Sequence, residues 1–87
     1  MEQAEQLEFL AQLLRQHNIK AKTISWSDYK PHGTLFATID HKVMPVVCPD
    51  YREGIYDHGR CVERVYMFKT QNVRLHSTYF PKPNMER

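Results

Sequence analysis

The chain is poor in glycine and cysteine, two residue types that announce a ready-made chemical site. Three glycines among 87 residues leave no glycine-rich phosphate loop and no nucleophile elbow. The two cysteines, Cys48 and Cys61, are too few for a disulfide scaffold. No apolar run approaches the roughly 20 residues needed to cross a bilayer, so no membrane partner is expected. The first residues, MEQAEQLEFL, lack the basic start and apolar core of a secretion signal. A cytoplasmic location with reduced thiols is the expectation that follows. A large excess of one sign of charge is missing as well. The formal net charge is +2 and the sequence pI about 8.6, under the value of about 9 that marks a strongly basic nucleic-acid-binding domain.

What is present belongs to a folded protein. The hydrophobic share is 41% and the aromatic share 11%, and disordered chains are poor in aromatics. A chain of this length buries roughly 60–65% of its unfolded surface, enough for one core. One domain is expected over residues 1–80, followed by a poorly ordered tail, PKPNMER, over 81–87.

Residues 2–17 have helical periodicity. Leu7, Leu10, Ala11 and Leu14 recur at helical spacing, Phe9 and Leu13 widen the stripe, and Asn18 is a stop signal. From residue 21 the period becomes 2. Lys22, Ile24 and Trp26 alternate with Thr23, Ser25 and Ser27, which predicts a strand. Residues 28–33 hold Pro31 and Gly33 and predict a turn. TLFATI (34–39) and VMPVVC (43–48) predict a hairpin whose second strand, carrying Pro45, lies at an edge or a bulge. CVERVYMFKT (61–70) and NVRLHSTYF (72–80) predict a second hairpin turning near Gln71 and Asn72, with residues 49–60 as a polar connection. The expected fold class is α+β: one N-terminal amphipathic helix on a mostly antiparallel sheet of four to five strands, in the order α-β-β-β-β-β.

One helix covers one face of such a sheet, and the other face must be polar or meet a partner. Packing Leu35, Ala37, Ile39, Val65, Met67, Val73 and Leu75 on the helix leaves Phe36, Arg64, Tyr66, Phe68, Arg74 and His76 on the uncovered face. Interleaved aromatic and basic side chains suit single-stranded nucleic acid, where bases stack on rings and cations meet phosphates. An apolar patch equally marks a protein interface, self-association included.

Other chemistry has fewer residues behind it. Cys48, His58 and Cys61 could ligate a metal, with Asp57, His76 or His32 as the fourth ligand, although the spacing lacks a second close pair. A Cys48–Cys61 bridge would close a 14-residue loop. Catalytic candidates are His32 and His58, with Cys61 beside His58 and Asp57.

The leucine-rich helix, the strand and then HGTLFATIDHKVMPVVCP resemble the HicA-type toxins. Their dsRBD-like fold has a catalytic histidine at the start of the second strand and a later strand ending in Val-Pro. His32 is the matching position, and the resemblance implies a small ribonuclease. The chain departs from that family in its C-terminal third, which has strand periodicity where the family has a helix.

The function expected first is a small non-enzymatic binding or regulatory module, acting through protein contacts or self-association on an uncovered sheet face or edge. RNA or single-stranded DNA binding is the alternative, and a HicA-like ribonuclease the third. No cofactor is expected.

Overall fold

The computed structural model describes residues 3–27 and 33–81. The expected tail beyond Pro81, most of the predicted 28–33 turn and the candidate His32 lie outside the described residues.

Helix α1, Gln3–Gln16, is the predicted amphipathic helix, with Leu10 and Gln6 fully buried. It ends as its sequence requires. Asn18 adopts a left-handed φ of 55°, its amide bonds the Arg15 carbonyl at 3.1 Å, and the Ile19 amide reaches Leu14 at 3.0 Å. This paired closure is the Schellman pattern.

The strands are β1 (Thr23–Ser27), β2 (Thr34–Thr38), β3 (Arg52–Tyr56), β4 (Cys61–Phe68) and β5 (Val73–Tyr79). They form one sheet in the order β1-β2-β5-β4-β3. β2 and β5 run parallel, and the other neighbours run antiparallel. The α+β class and the mostly antiparallel sheet are therefore as expected, while the third strand is not the predicted one.

VMPVVC forms no strand. Met44–Val47 is a short helix, α2, with Pro45 in its first turn. Proline fits there because the amide it lacks would have no helical partner. Met44 and Val47, three apart, point into the core, while Val46 is 64% exposed. That three-residue spacing is helical.

The third strand comes from residues expected to form a polar loop. β3 pairs with β4 from Arg52 opposite Val65 to Tyr56 opposite Cys61. Asp57 and His58 make the reversal with φ of 55° and 57°, and the Gly59 amide closes it onto the Tyr56 carbonyl at 3.2 Å. Consecutive positive φ values are what a tight hairpin turn needs to match strand twist.

The core lies between α1, α2 and one face of the sheet. Leu10, Leu35, Ala37, Ile39, Met44, Val47, Cys48, Val73 and Leu75 form it, with Phe9, Leu13, Leu14, Trp26, Tyr66 and Phe68 packed around it. At one end Asn72 ties the layers together. Its side chain accepts from Thr34 Oγ1 at 3.0 Å and donates to the Gly33 carbonyl. Gly33 needs its φ of +69°, and a Cβ there would stand 3.1 Å from the Ser27 carbonyl oxygen.

Candidate functional site

The register of the β4–β5 hairpin decides which side chains share a face. Phe68 stands opposite Val73, Tyr66 opposite Leu75 and Arg64 opposite Ser77. These β4 residues therefore lie on the helix side. Val65 opposes His76 and Met67 opposes Arg74, which puts both aliphatic residues on the uncovered side. The six residues expected on one surface are thus divided. Phe36, Arg74 and His76 stay on the uncovered face, while Arg64, Tyr66 and Phe68 occupy the other. The physical reason is aromatic packing: Phe68 meets Phe9 of α1 edge-on at 5.1 Å, and Tyr66 meets Phe68 at 4.9 Å. Rings fill the layer under the helix that shorter aliphatic chains were expected to fill.

The uncovered face has a mixed character. Arg74 lies over the Phe36 ring at 5.5 Å, an attraction between a cation and the negative ring face. His76 Nε2 shares a 2.8 Å hydrogen bond with Thr38 Oγ1. Its Nδ1 approaches Glu63 Oε2 to 3.3 Å without hydrogen-bond geometry. Toward the β3 end, at the edge of β4, a groove of about 800 Å³ is lined by Arg52, Val65, Met67, Lys69 and Arg74 and, from the helix side, by Tyr66 and Phe68, with Asp50 as its one carboxylate. Apolar Val65 and Met67 are among its lining residues, as are three cations against that one acid.

A second polar cluster lies on the helix side, beyond α2. Arg64 donates from Nε to Glu53 Oε1 at 3.1 Å and from Nη1 to the His41 carbonyl at 3.0 Å, and it lies 5.0 Å from the Tyr51 ring centre. His41 Nδ1 bonds Ser77 Oγ at 2.9 Å, and its ring stacks on Tyr79 at 5.4 Å. Burial, reinforced by the Arg64 guanidinium, lowers the His41 pKa from its ordinary value. This histidine was not among the expected site residues, because its partners come from β4 and β5, far away in sequence. A serine beside a neutral imidazole has the outline of an activated nucleophile. Ser77, however, is fully buried, so its hydroxyl anchors the turn before α2 and meets no substrate.

The remaining candidates are dispersed. Cys48 is buried in the core, Cys61 sits opposite Tyr56 in β4, and both thiols are free. Burial raises the Cys48 pKa to about 11. His58 lies exposed in the β3–β4 turn. Among the described residues, no group of three or more His, Cys, Asp or Glu side chains is arranged to hold a metal ion. No helix among them is long and apolar enough to cross a membrane. Residues 61–79 contain β4 and β5, not the C-terminal helix of the HicA-type fold. Compared with models of protein families, with curated proteins and with solved structures, the chain matches none.

Proposed function

We propose that the protein is a non-enzymatic docking module that binds a protein partner on its uncovered sheet face. The observation that carries this reading is the position of Val65 and Met67. Both stand on the face opposite the two helices, and together with Tyr66 and Phe68 they line a groove of about 800 Å³ at the β4 edge that Arg52, Lys69 and Arg74 also line. Apolar and aromatic side chains beside charged ones are the composition of a protein interface, where buried apolar anchors provide most of the affinity.

Nucleic acid fits this face less well. Base stacking needs free ring faces, and the Phe36 ring already carries Arg74. The cations favour a partner with acidic residues around its anchor, since complementary charge steers encounter and selects against wrong partners.

Panning a random-peptide library against the folded chain tests the proposal. Selected peptides should lose binding on Met67→Asp and keep it on Val46→Asp, which alters an exposed α2 side chain on the other side. Binders indifferent to Met67→Asp would overturn the reading. Two further outcomes would replace it. Binding of a single-stranded oligonucleotide that fell steeply with salt and was lost on Met67→Asp would assign the face to nucleic acid. A dimer that dissociated on the same substitution would assign it to a second copy of the chain.

A further inference from the structure

β4 extends beyond its edge neighbour. β3 reaches only as far as Arg52 opposite Val65, whereas β4 continues to Phe68 and remains paired with β5 along that length. The chain leaves the sheet just before this point, where the Tyr51 amide turns back onto the Cys48 carbonyl at 3.0 Å. Among the described residues, no other segment pairs with Tyr66, Met67 and Phe68 on the β3 side. The groove lies beside this open edge, and Tyr66 and Phe68 line it together with Met67.

We infer that this notch takes an extended acidic segment of a partner protein by strand addition, in line with β3. The inference rests on the docking function proposed above and specifies its partner. A free strand edge presents amide and carbonyl groups alternately, a pattern that another peptide backbone matches. A sugar-phosphate chain offers acceptors to the amides and few donors to the carbonyls. Three residues of added strand span about 10 Å, the length left open between Val65 and the turn after Phe68.

Alternation specifies the side chains of the occupant. Its residues opposite Tyr66 and Phe68 fall on the helix side, against an apolar wall formed by the two rings, 4.9 Å apart. The residue between them falls on the uncovered face, next in line after Arg52 and close to Lys69 and Arg74. The notch therefore selects an apolar–acidic–apolar triplet. Asp50, on the groove wall, disfavours a second carboxylate at that end.

The test uses fluorescence anisotropy with the full chain and a dye-labelled heptapeptide, Gly-Ser-Val-Glu-Val-Ser-Gly. Two N-methylated versions accompany it, one blocking the glutamate amide and the other blocking both valine amides. In strand pairing, alternate amides point at the neighbouring strand. One methylated peptide should thus bind about tenfold or more weakly, and the other like the parent. Replacing the glutamate with lysine, or using the Arg52→Glu chain, should weaken binding by about tenfold as well. Equal binding by all three backbones would overturn strand addition while leaving docking on the face intact, provided that Met67→Asp still abolished it. Absence of any binding up to millimolar peptide would overturn the notch as the site, and the library panning then decides the docking function separately. Displacement of the peptide by a second copy of the chain, seen as a concentration-dependent dimer, would make the occupant the protein itself.

Discussion

Gln6 of α1 donates from Nε2 to the carbonyl of Asn72, 66 residues away, at 2.8 Å. The Leu35 amide donates to the same carbonyl at 3.2 Å. One oxygen therefore joins the helix, β2 and the turn before β5. Gln6 is fully buried, and its Oε1 has no hydrogen-bond partner. Nε2 also reaches the Gly33 carbonyl at 3.4 Å, so the side chain contributes two donated hydrogen bonds and carries one desolvation cost. Gln6→Ala removes both bonds and leaves a void, so a loss of about 1–3 kcal/mol is expected in urea unfolding. Gln6→Leu keeps volume and removes the unpaired oxygen, and should lose less than Gln6→Ala. A larger loss for leucine would show that its branched side chain does not fit the space the glutamine fills.

Phe68 and Met67 are adjacent in β4 and face opposite ways. Phe68→Asp places a carboxylate against Phe9 and Tyr66, where burying a charge without a partner is costly. Thermal unfolding should show a loss above about 2 kcal/mol. Met67→Asp stands near Arg74 and Arg52 on the uncovered side and should cost less than about 1 kcal/mol. Equal losses would contradict the face assignment.

That assignment was within reach of the sequence. Residues 69–72, an even number, separate Phe68 from Val73, and a turn of two residues at Gln71 and Asn72 would have had the same parity. Any even connection sets Arg64, Tyr66 and Phe68 on the side of Val73 and Leu75, because side chains alternate with period 2. The apolar character of Val65 and Met67 points the other way, because such residues are most often buried. The α1 stripe, the Asn18 stop and four of the five strands were legible because their periodicity is local. VMPVVC was ambiguous, since a short continuous apolar run suits a strand or a buried helical turn equally. β3 has little local signal in REGIY, and its pairing with β4 supplies what periodicity does not. The Arg64–Glu53–His41 cluster joins three separate segments and has no signature in any one of them.

Cys48 and Cys61 should differ sharply toward thiol reagents. Cys48 is buried at 3% exposure with its pKa raised to about 11, so at pH 8 only about one in a thousand of its thiols is ionised. Cys61 is partly exposed in β4. In iodoacetamide labelling followed by peptide mass analysis, Cys61 should react on the native protein and Cys48 only as the chain unfolds. Native labelling of Cys48 at a comparable rate would show that the α2 region opens without global unfolding.

His41 gives the fold a pH dependence of known sign. Burial and the Arg64 guanidinium lower its pKa from 6.5 in the folded state, so below pH 6.5 the unfolded chain binds the proton more readily. The contribution is fully present above pH 6.5 and is lost as pH falls through the lower, folded value. Protonation also makes both ring nitrogens donors. The contact with Ser77 Oγ then survives only with the hydroxyl accepting, and a second positive charge is placed near Arg64. Urea midpoints measured between pH 5 and pH 8 should therefore decline toward acid. His41→Gln, which keeps a polar group beside Ser77, should reduce that decline while leaving the stability at pH 8 close to that of the native chain. His76 is the control, since it lies on the other face between Thr38 and Glu63. If His76→Gln flattens the profile and His41→Gln does not, the acid sensitivity belongs to the uncovered face instead.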